Sequence, residues 1–224
     1  MSPESTGSGP ETPESSDEPG EQKPGQRWRV LDDPFAIRAL AHPLRLDLLA
    51  VIGRLGKATT ADAARELGIS HGLASHHMHQ LAKYGFAEQV KGKDSRERPW
   101  RLTATSYLPL RDLRTPSLMA AADVYYRVLA NRVVAAYLDW QERRSDWPDA
   151  WLRVAGLVSN STIYLTLPEL TVLTEAIKSL IQPYIEERVI DDTTARPPGA
   201  VPVGLALFAV PDADAPPAAD TSGE

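Results

Sequence analysis

All five histidines of this chain, His42, His71, His76, His77 and His79, fall between residues 42 and 79. A neutral imidazole carries one donor and one acceptor, so it can act as a base, ligate a metal or hydrogen-bond a nucleobase edge. His76 and His79 lie one helical turn apart, a spacing that suits a metal-ligand pair. The chain has no cysteine, and no histidine follows His79 to supply a third soft ligand, so a dedicated metal site is not expected. Ser70, Gly72 and Ser75 are interleaved with these histidines, and Lys57, Thr60, Lys93, Arg96 and Arg98 flank them. Short hydroxyls and imidazoles next to loop cations are the residue types that read base edges and grip phosphates.

The elements around these residues are legible in order. Asp33-Pro34 opens a short helix carrying Phe35, Ile37 and Leu40, and Pro43 opens a second with Leu44, Leu48, Leu49 and Ile52. Thr59 and Thr60 offer caps for a third helix, closed by Gly68, and Ser70 caps a fourth that runs to about Tyr84. Two helices joined by a glycine turn form a helix-turn-helix. The fourth helix points Ala74, His77, Met78 and Leu81 inward and His71, Gly72, Ser75, His76 and His79 outward. After Gly85, Phe86–Val90 and Trp100–Thr103 read as strands around the polar loop 91–98, a wing with a basic tip. Recognition helices contact bases through their first turns. The base-reading set is therefore His71, Gly72, Ser75 and His76, and the backbone set is Lys57, Thr60, Ser70, His79, Lys93, Arg96 and Arg98. His77 reads as a structural, half-buried ring.

Charge is partitioned along the chain. Arg27–Arg101 holds thirteen Lys/Arg against eight Asp/Glu, a net of +5, whereas residues 102–224 carry −6 and residues 1–26 carry −5. A basic module between acidic flanks fits a local phosphate-binding surface and opposes indiscriminate nucleic-acid binding. Residues 1–26 contain no Leu, Ile, Val or aromatic side chain, so they read as a disordered acidic tail, and 212–224 as a second. The winged module occupies 27–107, and a dimerisation and effector region occupies 115–211. No apolar run reaches the ~20 residues that span a bilayer, and the start lacks a signal peptide's basic and apolar regions. The expectation is a cytoplasmic protein with no membrane partner and no cofactor.

The run Leu40-Ala41-His42-Pro43-Leu44-Arg45, then Thr60–Ala64, Ile69-Ser70, Ser75-His76-His77-Met78, Leu81 and Gly85-Phe86 resembles the ArsR family of bacterial repressors over about 70 residues. The resemblance implies a winged helix-turn-helix and helices flanking it that build a two-fold dimer on double-stranded DNA. Ala74, Met78, Phe86 and Ala87 replace the family's usual apolar residues with other apolar ones. Many relatives sense metals through Cys, His and Asp sites, a pattern this chain departs from.

Beyond the wing, Leu118–Arg143 reads as a long amphipathic helix, with Tyr125, Leu129, Val133 and Tyr137 as its dimerisation residues. Covering an intrachain core is the alternative use of that face. Trp151–Ser159 and Ser161–Leu167 read as a hairpin, Thr166–Glu169 as a capping box opening a helix kinked at Pro183, and Val201–Val210 as a further strand. The fold class is α+β: a winged helix-turn-helix, a long dimerisation helix and a small α/β module. Trp140, Trp147, Trp151, Tyr125, Tyr126 and Tyr137 concentrate aromatic surface between the halves, which either packs as core or lines a small-molecule effector site. No nucleophile elbow, P-loop, H-E-x-x-H or dinucleotide turn is present, so the sequence argues against an enzyme. The competing reading is a winged-helix protein-interaction or ligand-sensing module whose main partner is not DNA.

Overall fold

The computed structural model describes residues 28–92, 97–104, 106–109, 115–156, 161–188 and 192–211. The two terminal tails and the wing-tip residues 93–96 lie outside the described residues. The architecture is mixed and helix-dominant, with two small sheets. In chain order the winged region comprises β1 (Trp28–Leu31), α1 (Pro34–Leu40), α2 (Pro43–Leu55), α3 (Thr60–Leu67), α4 (His71–Lys83), β2 (Ala87–Gln89), β3 (Trp100–Leu102) and β4 (Ser106–Pro109). It is followed by α5 (Pro116–Arg143), α6 (Asp149–Leu152) and α7 (Leu167–Glu187).

Each helix start is set by local chemistry. Asp33 accepts hydrogen bonds from the Phe35 and Ala36 amides at 2.9 and 3.2 Å, with Pro34 at the first helical position. Thr59, rather than Thr60, caps α3, in a reciprocal capping box with Asp62. That box holds the Asp62 carboxyl below the usual range, chiefly through the Thr59 hydroxyl. Gly68, at φ +62°, supplies the left-handed turn between α3 and α4. Thr115 caps α5, which starts slightly earlier than the apolar periodicity indicates.

The core is one cluster. Ile37, Leu40, Leu48, Ile52, Met78, Leu81 and Phe86 are fully buried, and Leu118, Ala121 and Tyr125 of α5 join them. The wing pairs antiparallel, with Glu88 opposite Arg101 and Gln89 opposite Trp100, and Ala58 adds a bridge to Trp100. Sequence periodicity misses β1, which pairs in parallel with β4 so that Arg29 lies opposite Tyr107. Arg29 donates to the carbonyls of Tyr84 and Gly85 at 2.9 and 3.0 Å, and its guanidinium lies over the Phe86 ring. It thereby fastens the end of α4 where Gly85, at φ +70°, turns into the wing.

The C-terminal half departs from the sequence reading. Trp151 lies in α6, because Pro148 caps a turn that begins with Asp149, an acid favoured at a helix start. Residues 161–166 and 201–210 are described without strand pairing, so the expected hairpin and third strand are not formed there. Alternating apolar residues suit a strand, but a strand forms only where a neighbouring strand accepts its backbone hydrogen bonds, and among the described residues no such pairing joins these segments. Residues 157–160 lie outside the described set. The capping box at Thr166–Glu169 is present, and α7 continues through Pro183 to Glu187. The aromatic residues pair locally, Tyr137 with Trp140 and Trp147 with Trp151. Among the described residues no helix is long and apolar enough to cross a membrane.

Candidate nucleic-acid interface

α4 is the element on which the site is built. Its cap, Ser70, accepts from the Leu73 amide at 3.2 Å, and the Ala74 amide closes the first turn on the Ser70 carbonyl, so the first-turn N–H groups outside these bonds are those of His71 and Gly72. His71, Gly72, His76 and His79 are exposed and Ser75 is half-buried, while Ala74, His77, Met78 and Leu81 face the core. The inward and outward sets read from the sequence are therefore the ones the helix presents. Leu73 is also exposed, at 42 %. Periodicity alone misses it, because an apolar residue on a helix is normally assigned to the core, whereas here it stands on the exposed face with His71 and Gly72.

His79 has a more specific placement than its position in the sequence suggests. Its Nδ1 lies 2.8 Å from the Ser75 carbonyl oxygen. A carbonyl only accepts, so Nδ1 must carry the proton, and neutral His79 leaves Nε2 as an acceptor. It can then donate to a phosphate only when protonated. Its ring also meets the edge of Trp100 at 5.5 Å, which ties α4 to the wing.

Trp100 organises the other side. Its side chain is buried, and its indole N–H donates to the Thr60 hydroxyl at 3.0 Å. The sequence places Thr60 as a backbone contact; the structure shows its oxygen already engaged in locking α3 to the wing. Lys57 is exposed immediately before the Ala58 bridge, and Arg98 is exposed at the base of the wing hairpin. Lys93 and Arg96 lie outside the described residues. Arg101 pairs with Glu88 across the hairpin at 2.6 Å, and Arg54 pairs with Glu66, so these cations are partly neutralised.

Beneath the exposed face lies a histidine pair. His77 is 7 % exposed, its ring 4.6 Å from His42 and 5.2 Å from His76. Arg45 donates from Nε to His77 Nδ1 at 3.3 Å and from its terminal nitrogen to the Ala39 carbonyl at 2.5 Å. Burial first, then the charges of His42, Arg45 and His76, lower the His77 pKa; burial and then Arg45 lower that of His42. Both rings are held neutral. Among the described residues no group of three or more His, Asp or Glu could hold a metal.

The proposed dimer positions are unevenly available. Tyr125 is buried in its own chain and donates to the Tyr107 carbonyl at 3.1 Å, whereas Leu129 and Val133 are half-buried and Tyr137 is exposed.

A helix-turn-helix domain family matches residues 40–90. The chain carries a helix-turn-helix domain. No curated protein matches. Two solved structures of the heme sensor protein PefR match at 18 % identity and a TM-score of 0.28. One, from Streptococcus agalactiae with heme, covers 71 % of this chain and 82 % of that one. The other, with heme and carbon monoxide, covers 69 % and 82 %.

Proposed function

We propose that this protein is a sequence-specific, DNA-binding transcriptional regulator of the ArsR type that acts in the cytoplasm as a homodimeric repressor. The observation that carries this reading is the first half of α4: a capped, polar and exposed helix start, buttressed on one side by a core face and on the other by the wing. His71, Gly72, Leu73, Ser75 and His76 read base edges in the major groove. Ser70, Lys57, His79, Lys93, Arg96 and Arg98 contact the backbone, with the Thr60 hydroxyl proton still available beside its bond to Trp100. The outer half of α5, with Leu129, Val133, Tyr137 and the neighbouring exposed Val134 and Leu138, supplies a two-fold contact. Tyr125 acts instead by holding α5 to the winged core. A dimer would present two α4 helices to half-sites about one helical turn apart.

The test is a fluorescence-anisotropy titration of the full chain against the DNA upstream of its own gene and a scrambled duplex, at two salt concentrations. Salt-sensitive binding that prefers the upstream DNA by a hundred-fold or more, at two chains per duplex, is expected. Equal, weak binding to both duplexes would refute this reading for that sequence.

A further inference from the structure

Among the described residues, α7 carries an apolar stripe that its own chain leaves largely exposed. No residue of this 21-residue helix is buried, and an isolated helix of that length is marginal in water. Leu170, Thr174, Ile177 and Ile181 are partly covered. The adjoining stripe is not: Leu173, Leu180 and Tyr184 are 38 %, 73 % and 60 % exposed. Spacings of seven and four place these three side chains on one face.

From this we infer that the α7 stripe is a dimer interface in which two copies pack antiparallel, an inference that rests on the homodimer reading above. Three observations select a second copy of this helix. First, α7 holds four glutamates against Lys178, which repels nucleic acid and anionic lipid alike. Second, the stripe is self-complementary. With the two-fold axis between Lys178 and Ser179, Leu173 faces the partner's Tyr184, and Ile177 faces the partner's Leu180. Third, Arg188 lies over its own Tyr184 ring, 5.1 Å from the centroid, while Glu169 lies one turn before Leu173. Antiparallel packing brings that arginine level with the partner's Glu169. Parallel packing would instead set Glu169, Glu186 and Glu187 beside their own copies. The interface is isologous and closed, as a two-fold regulator requires.

The absence of native cysteine makes disulfide trapping clean. In the full-length Leu173→Cys/Tyr184→Cys variant, the two positions of one chain are about 16 Å apart along the helix, too far to bond to each other. Mild oxidation of that variant should yield a covalent dimer on a denaturing gel, whereas either single variant should remain monomeric on the same gel. Both positions are exposed, so folding of the winged domain is spared, and circular dichroism verifies it. Single variants that cross-link as well as the double would overturn the antiparallel arrangement. A double variant that does not cross-link, while light scattering shows the wild type to be a dimer, would overturn the α7 interface and leave dimerisation through α5 standing. A monomeric wild type would overturn both. Cross-linking of Leu173→Cys within one chain to Leu205→Cys would overturn the inference by showing that the extended segment 201–210 covers the stripe instead.

Discussion

Acidification should destabilise the winged domain through His77, and the ceiling of the effect follows from its surroundings. In the folded chain His77 is neutral because its Nδ1 must accept from Arg45, and because His42, His76 and the Arg45 guanidinium crowd it from α4 and the start of α2. A proton on Nδ1 removes that acceptor and adds a charge beside an existing one. The folded pKa lies below the unfolded value, so the unfolded chain binds the proton more readily. Stability is therefore full above about pH 6.5 and is lost as pH falls from there towards the folded pKa. Within that window each histidine removes about 1.4 kcal/mol per pH unit. His42 is shifted in the same direction, so the pair together gives up to about 2.7 kcal/mol per unit, a large share of a small domain's ~5–15 kcal/mol.

The assay is urea unfolding at pH 7.5 and 5.5, followed by tryptophan fluorescence with Trp100 as the buried reporter. His77→Gln retains an acceptor for Arg45 but cannot titrate. It should lose less stability than wild type between the two pH values, by up to about 1.4 kcal/mol. Parallel losses in wild type, His77→Gln and His42→Gln would refute the reasoning and assign acid sensitivity to other groups.

The interface itself yields three further expectations. Alanine at His76 should lower preference at one base pair by about 1–3 kcal/mol and leave binding to random DNA nearly unchanged; equal losses on both duplexes would remove it from the base-reading set. Arg96→Ala with Arg98→Ala should weaken all duplexes alike and reduce the salt slope by about two, at roughly 0.9 per phosphate contact, as read from titrations between 50 and 200 mM salt. Trp100→Phe should free the Thr60 hydroxyl, destabilise the domain by about 1 kcal/mol for the lost hydrogen bond, and slacken the wing, measured as a lower thermal midpoint and weaker DNA binding.

The winged region was legible because its signals are local and redundant. Asp33-Pro34, Thr59 with Asp62, Gly68 and Ser70 each set a helix end by contacts within three residues. The α4 faces follow directly from helical periodicity. Contacts between distant residues were not legible. Nothing near Arg29 announces that it fastens Tyr84 and Gly85, and nothing near Thr60 announces Trp100, forty residues away. The same limit explains Tyr125: periodicity marks it as apolar-facing but cannot say whether its own core or a partner receives it. In the C-terminal half, alternation at 201–210 records a preference for extended backbone, and whether a strand forms there is decided by a neighbour the alternation does not specify.

The two halves of the chain are mechanically joined, which constrains how any signal could reach the DNA-facing surface. α5 enters the winged core through Leu118, Ala121 and Tyr125, and Arg132 pairs with Asp47 of α2 at 2.7 Å. From the far end of the chain, Arg196 donates to the carbonyls of Arg54 and Gly53 in the last turn of α2 at 2.8 and 3.0 Å, the latter shared with the Gly56 amide. Asp192 and Thr193 then line a cleft of about 330 Å³ with Leu55, Gly56, Lys57 and Arg101. Asp192 thus shares a cleft with a cation that the proposed function assigns to a phosphate. Because α2 and α4 share one packed core, a shift of α5 or of the 192–196 segment acts on the domain that carries α4 as a whole. In the proposed homodimer such a shift would change the spacing between the two α4 helices, so control by the C-terminal half would require no rearrangement of α4 itself.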